Sequence, residues 1–285
     1  MCCIFVAMGL IGNVLKGVAY RLGAGKSGTD FMAIPWAKEK WLKHLPADNQ
    51  ERLLVLQNQH IHFSKPWEVL HTWDEIFRQQ IYRFKTTNKS PYILDCGSNI
   101  GMAVMYFKWL YPQAIIQAFE PDASNYALLE KNVAGNHYSN VTLHKEAIWI
   151  HNDGIQFQSA GSHASRIGDD AGANTISVPT RRLKELLLER PVDFLKLDIE
   201  GAEYEVLLDC EDALHQVGHF FLEYHGTVGD TPKLTRLLNM MENAGFSCYI
   251  RNAADLLKHP FADKQLPGQP FEVQLNIFAY RIGQS

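Results

Sequence analysis

The chain has 285 residues, 46% of them hydrophobic and 20% charged, with a formal net charge of -4. That composition supplies a full core and excludes a disordered chain, and it offers no basic patch that would suggest nucleic acid. Five cysteines, Cys2, Cys3, Cys96, Cys210 and Cys248, form no CxxC pair, so neither a disulfide framework nor a zinc site is signalled and a reducing cytoplasm is the expected compartment.

The start, MCCIFVAMGLIGNVLKGVAYRLGAGKSG, is mostly apolar yet lacks a basic lead-in and a small-residue cleavage site. Lys16, Arg21 and several glycines interrupt it before about 20 apolar residues accumulate. It reads as a helix that is partly buried or faces a partner, a second copy included, with membrane association as the lesser alternative. Next, FMAIPWAKEKWLKHL reads as a helix, RLLVLQNQHIHF as a short hairpin and WEVLHTWDEIFRQQIYRF as an amphipathic helix. Residues 1–88 are therefore expected to form an N-terminal extension and cap, and residues 89–285 the main domain.

Beyond Pro91 short apolar runs alternate with amphipathic helices. YILDCG precedes GMAVMYFKWLY, AIIQAFE precedes SNYALLEKNVAGN, NVTLHKEAI follows as a further strand, VDFLKLDI precedes AEYEVLLDC, and GHFFLEYH precedes PKLTRLLNMMENAG. This alternation predicts a parallel sheet covered on both faces. ISVPTRRLKELLLER adds an expected edge strand and helix, while SCYIRN and EVQLNIFAYRI predict an antiparallel terminal hairpin.

Ligands of such sheets bind beyond the carboxyl ends of the strands, where the strand order reverses. DCGSNIG lies at such an end: Gly97 and Gly101 let the backbone turn and approach a ligand, and a helix N-terminus follows. The spacing is DxGxNxG, not GxGxxG, and taken alone it equally describes a tight strand-to-helix turn. Glu120 ends the next strand near the roughly 20-residue offset at which an acid accepts hydrogen bonds from ribose hydroxyls. Helix capping is its plainer reading, and Pro121 suits both because it turns the chain into a helix.

Together DCGSNIG, AFEPDASNYALLEKN, NVTLHKEAIW and VDFLKLDIEGAEYEVL resemble the FkbM family of S-adenosylmethionine-dependent methyltransferases, over roughly residues 70–250. KLDIEGAEYEVL is the most specific of these elements. The resemblance implies a Rossmann-like class I methyltransferase fold, a mostly parallel seven-stranded sheet with helices on both faces, a terminal antiparallel hairpin and an N-terminal helical cap. It implies that Asp95, Gly97, Ser98, Asn99 and Gly101 surround the methionine part of S-adenosylmethionine, that Glu120 and Pro121 lie at the ribose, and that Glu146 and Ala147 lie beside the adenine. Asp198 is expected near the cofactor as well. Asn99 stands where common class I enzymes carry a third glycine, in keeping with the FkbM pattern.

Chemistry is expected at the next two strand ends. Residues two apart on a strand share a face, so Asp198 with Glu200, and Glu223 with His225, can converge on one pocket. Methyl transfer needs an aligned, deprotonated acceptor, which makes Asp198, His225 and Glu223 the candidate catalytic residues. The plainer readings are a hydrogen-bonded loop histidine for His225 and helix N-terminal capping for Glu200 and Glu203. Lys196 is expected in a structural ion pair. The same oxygen and nitrogen atoms could hold a divalent ion, though no motif fixes that geometry and none is predicted. The polar stretch FQSAGSHASRIGDDAGANTISV suits a loop over the acceptor, with Ser162, His163 and Ser165 as contacts.

The expected activity is methyl transfer from S-adenosylmethionine to a hydroxyl oxygen of a small molecule, a sugar or a secondary metabolite. A silent S-adenosylmethionine-binding or scaffold protein is the rival. An NAD-dependent dehydrogenase is disfavoured by the missing GxGxxG.

Overall fold

A computed structural model describes residues 34–56, 58–158, 166–167, 175–257, 259–262 and 270–282. Its contacts form two compact units, the chain up to Asp48 with Lys65–Ile81, and Asn49–Ser64 with Tyr82–Ser285. Among its described residues the first unit holds α1 (Trp36–His44) and α2 (Pro66–Trp73), which runs on into a π-helical turn at Asp74–Arg78. Pro66 opens α2 where its missing N–H has no intrahelical partner to lose. Among the described residues no helix is long and apolar enough to cross a membrane, and the apolar start of the chain lies outside them.

The second unit begins with the antiparallel hairpin β1 (Arg52–Leu56) and β2 (Gln59–Phe63). There follow β3 (Tyr92–Cys96), α3 (Met102–Leu110), β4 (Ile115–Phe119), α4 (Ala123–Gly135), β5 (Val141–His144) and β6 (Ala147–Trp149). Then come β7 (Ile155–Gln158), β8 (Arg166–Ile167), β9 (Thr175–Val178), β10 (Thr180–Arg182) and α5 (Leu183–Glu189). The chain continues through β11 (Val192–Leu197), α6 (Glu203–Asp209), β12 (Val217–Gly226), α7 (Thr231–Asn243), β13 (Ser247–Asn252) and β14 (Val273–Tyr280).

The main sheet has seven strands in the order β13-β14-β12-β11-β3-β4-β5. Strands β5, β4, β3, β11 and β12 run parallel, and β14 is antiparallel to both its neighbours. From β3 the chain winds outward to β4 and β5, and from β11 it winds the other way to β12, so the switch point lies between β3 and β11. Register sets Cys96, Leu197 and Leu222 on one face and Asp95, Lys196 and Phe221 on the other. The first face buries its side chains against Leu186, Val206, Leu207 and Met240 of the helices. On the second face an aromatic layer forms, with Phe107 at 5.0 Å from Phe194 and Tyr82 edge-on to Phe221 at 4.8 Å.

Two strand expectations need correcting. NVTLHKEAI is not one strand: β5 stays in the main sheet, while β6 leaves it to pair with β10 in a separate two-stranded sheet. ISVPTRR is no edge of the main sheet either, because Pro179 has no N–H to continue a ladder and divides the run into β9 and β10. β9 pairs with β7 in a three-stranded sheet, and the Pro179 carbonyl instead accepts from Ala147 N at 2.9 Å. The hairpin β1–β2, which lies ahead of the boundary expected at residue 88, joins the main unit through two asparagine amides. Asn132 exchanges hydrogen bonds with His62 N and O at 2.6 and 3.0 Å, and Asn136 with His60 N and O at 2.7 Å each. Each amide thereby substitutes for a neighbouring strand, satisfying one backbone donor and one acceptor of β2.

Candidate active site

At the carboxyl ends of β3 and β4 the backbone itself shapes the site. Gly97 (φ +84) and Gly101 (φ +89) occupy the left-handed region, and Asn99 between them, at φ 49, is a residue type that tolerates it. The turn is tied to β4 by Gly97 N and Ser98 N, which both donate to the Phe119 carbonyl at 3.0 and 2.9 Å. A Cβ on Gly97 would lie 1.8 Å from the Asp198 carbonyl oxygen, so this glycine admits the end of β11. The space it leaves is filled by backbone and is not held open for a ligand.

Three oxygens beside this turn have no hydrogen-bond partner among the described residues: both carboxylate oxygens of Asp95, which is 0% exposed, and Asn99 Oδ1. Asp95 Oδ1 lies 3.6 Å from Lys196 Nζ, an ion pair longer than a hydrogen bond. Burial raises the Asp95 pKa, and the Lys196 charge opposes that rise. Glu120 is buried at the end of β4 and accepts from Asn99 N at 2.8 Å through Oε2 and from Asp122 N at 2.9 Å through Oε1. A carboxylate has about four acceptor positions, so each Glu120 oxygen retains one. Burial lifts its pKa to about 7 despite both backbone donors. Asp122 caps α4 by accepting from Ser124 N and Asn125 N, and Pro121 leads into it half-buried.

Glu146 and Ala147 follow β5, whose His144 carbonyl accepts from Glu120 N at 3.0 Å. The Glu146 carboxylate is held by Arg181 through Nε and Nη2 at 3.0 and 3.3 Å, and Ala147 spends its N–H on Pro179. His144, at the end of β5, stacks on Phe119 at 4.4 Å and presents a second flat surface on that side.

The ends of β11 and β12 are built from side chains. Lys196 Nζ donates to the Gly97 carbonyl at 2.7 Å and to Asp198 Oδ2 at 3.2 Å. Burial alone would lower the Lys196 pKa, but Asp198 and Asp95 outweigh it and hold the ammonium well above its ordinary range. Glu200 sits at φ 57, uncommon for a residue with a Cβ, in the turn that precedes α6. Glu203 pins that turn, accepting from Ile199 N at 3.1 Å and Gly201 N at 3.0 Å, and its Oε1 also lies 3.1 Å from His225 Nδ1. Glu203 therefore ties down the turn ahead of α6 without making the side-chain cap hydrogen bond expected at the helix N-terminus, and the same carboxylate orients His225.

His225, whose side chain is 1% exposed, turns Nε2 toward Glu223 Oε1 at 3.7 Å and Glu200 Oε2 at 3.8 Å. Gln274 donates to Glu223 Oε1 at 2.6 Å and lies 3.2 Å from His225 Nε2. Burial raises Glu223 to about 7 and Glu200 to about 8. For His225 burial acts downward, yet the Glu203 hydrogen bond and the surrounding carboxylates bring it to about 10. Glu223 and Glu200 are thus placed to exchange protons near neutral pH, while His225 keeps its proton well above it.

The structure thus brings Asp198, Glu200, Glu203, Glu223 and His225 together, with Asp95 joined to them through Lys196. Ser162, His163 and Ser165 lie outside the described residues. Three contributors escaped the sequence reading. Gln274 and Asn276 face His225 and Glu223 across the β12–β14 ladder, and polar residues at alternate positions of a half-buried strand are the signal that could have found them. Tyr82, buried against Phe221, carries no sequence signal; burial first, and then Asp198, Glu223 and Asp95, raise its hydroxyl pKa well above the ordinary value.

The family model of the methyltransferase FkbM domain matches residues 95–248, more than half of the chain. The chain belongs to the FkbM methyltransferase family. Methyltransferase sdnD of Sordaria araneosa is 28% identical over 63% of this chain and 82% of that protein, and methyltransferase 1 of Beauveria bassiana is 28% identical over 64% and 83%. The 2-O-methyltransferase NoeI of Sinorhizobium fredii is 28% identical over 47% of this chain and 63% of its own length. Among solved structures, methyltransferase FkbM from Methylobacillus flagellatus is 17% identical, with a TM-score of 0.44, over 70% of this chain and 46% of that one. The matched span of this FkbM methyltransferase holds Asp95, Glu120, Asp198 and His225, whereas Tyr82, Gln274 and Asn276 lie outside it.

Proposed function

We propose that this methyltransferase moves a methyl group from S-adenosylmethionine to a hydroxyl oxygen of a small molecule such as a sugar or a secondary metabolite. The observation that carries the reading is the set of orphaned acceptors at Asp95 and Asn99 beside Glu120, directly across the switch point from a desolvated carboxylate group. The donor set fits S-adenosylmethionine. Asp95 and Asn99 supply buried acceptors for an ammonium, and the remaining acceptor positions of Glu120 suit a ribose diol. Glu146, already paired with Arg181, and Ala147 would border the adenine edge and would not grip it. When bound, the cofactor supplies an electrophilic methyl group on a sulfonium sulfur.

The chain's own residues do the rest. Glu223, at about 7, is tuned to take a hydroxyl proton near neutral pH, and the Glu200 carboxyl, at about 8, shares it. Held at about 10, His225 is charged at neutral pH, which makes it an anchor for these carboxylates in place of the general base expected from the sequence. Asp198 stands between the two sides, fixed by Lys196. An oxygen acceptor is supported by the printed activity of the relative NoeI and by a base of this pKa, since alcohols need proton removal as they are methylated. The test is methyl-labelled S-adenosylmethionine offered with a panel of sugars and secondary alcohols, with label expected in an ether product. Tight cofactor binding without label transfer to any alcohol, amine or thiol would leave the silent binding protein as the better reading, and label on nitrogen or sulfur would remove the oxygen acceptor.

A further inference from the structure

We infer that Asp198, Glu200 and His225 form a binding site for one divalent cation of the magnesium or manganese class. One ligand atom from each of the three lies within 4.8 Å of the other two. Two oxygens on opposite sides of one ion at about 2.2 Å each are about 4.4 Å apart, so only a small closure is required. The residues reach this point from two adjacent strand ends, which is how a rigid scaffold presents ligands to one centre.

Two further observations point to an ion. The first is the orientation of the imidazole. Its Nδ1 is held by the buried Glu203 carboxylate at 3.1 Å, which leaves Nε2 facing carboxylate oxygens at 3.7 and 3.8 Å. A histidine anchored at one nitrogen by a carboxylate, with the other turned into an oxygen cluster, is the arrangement that metal-ligating histidines adopt. The second is Asn276, 2% exposed and opposite Glu223 on this face of the sheet, whose Oδ1 has no hydrogen-bond partner among the described residues. That oxygen is an acceptor on the same sheet face as Glu223 and His225, suited to a water of the ion's hydration shell.

Charge argues the same way. The only cationic partners of the Asp198, Glu200, Glu203 and Glu223 carboxylates among the described residues are Lys196 and the His225 ring. Two carboxylates and one imidazole select a hard or borderline cation over a thiophilic one. Gln274, 3.2 Å from Nε2, must turn aside as the ion enters, and the imidazole must give up its Nε2 proton. The ion's use, lowering the pKa of a bound alcohol, rests on the hydroxyl-acceptor reading; its binding does not.

The experiment reads binding directly. Full-length protein stripped with a chelator is titrated with Mn2+ without cofactor or acceptor, and free Mn2+ is followed by electron paramagnetic resonance. One ion per chain is expected, with at least tenfold weaker binding in Asp198→Asn, about tenfold weaker binding in Glu203→Gln, and no change in Asp212→Asn, which breaks an exposed pair with Lys184. Circular dichroism of each variant separates lost ligation from lost folding, and Co2+ absorption of the wild type supplies a reading independent of any substitution. Absence of Mn2+ uptake, or uptake equal in wild type and Asp198→Asn, overturns the site. Turnover unchanged in chelator together with no uptake sinks the ion and leaves methyl transfer intact, whereas uptake without transfer to any alcohol keeps the ion and removes the hydroxyl-acceptor reading.

Discussion

The two halves of the candidate site solve the same problem, presenting polar groups at the end of an apolar sheet, with different materials. At β3 and β4 the backbone does most of the work: two glycines and one asparagine in left-handed conformations set the turn, and N–H groups fix Glu120. At β11 and β12 side chains hold one another, Glu203 to His225, Gln274 to Glu223 and Lys196 to Asp198. A backbone site tolerates little change of shape, whereas a side-chain site tolerates shape but titrates. On the proposed reading, the first suits an invariant ligand and the second an acceptor whose proton must move.

The sharpest break of that comparison is Gly97→Val. Its Cβ would meet the Asp198 carbonyl at 1.8 Å in a backbone conformation that a branched residue disfavours, and neither partner is a side chain that can swing away. A loss of about 3–5 kcal/mol in denaturant unfolding is expected, or no folded protein. Stability within about 1 kcal/mol of wild type would mean that the glycine is not needed for the approach of β11.

Glu120→Ala comes next. Calorimetry should find S-adenosylmethionine bound roughly 2–3 kcal/mol more weakly, since charged acceptors are lost at the diol. Stability should also drop, because Asn99 N and Asp122 N lose their partner. A stability loss with cofactor affinity unchanged would leave Glu120 a structural cap.

Glu223→Gln probes the other side. Turnover should fall about 100-fold with cofactor affinity kept within about twofold, because a base contributes to the rate and not to ground-state binding. A base must be deprotonated to act, so wild-type activity should rise with pH through about 7, and that limb should vanish in the variant. A limb that survives would move the base to another group.

The smallest effect is on stability against pH. Glu120, Glu200 and Glu223 have folded pKa values of about 7, 8 and 7, raised from 4.5. Their contribution is present below pH 4.5 and is lost as pH climbs through 7–8, and His225 follows the same sign up to about 10. Unfolding free energy should therefore decline from pH 5 to 9. Glu200→Gln and Glu223→Gln should each flatten the decline below pH 8, and an unaltered slope in both would contradict the buried titrating group.

How much of this could be read from the chain follows from the range of each interaction. Periodicity and glycine spacing are local, so β3, β4, β11 and β12, the left-handed turn at Gly97 to Gly101 and the acids at the strand ends were legible from YILDCGSNIG, AFEP and LKLDIEG. Which partners those groups take is decided by strand order and register, which bring residues about 35 to 100 positions apart into contact. Hence Lys196 with Gly97, Gln274 with Glu223 and Arg181 with Glu146 had no sequence signature, and the strand expected at NVTLHKEAI was divided by a partner 32 residues away, Pro179 against Ala147. The residue types at the strand ends were determined by the sequence alone. Only the tertiary structure decided which of them are spent on each other and which keep an acceptor open, because burial and pairing are properties of neighbours and not of position along the chain.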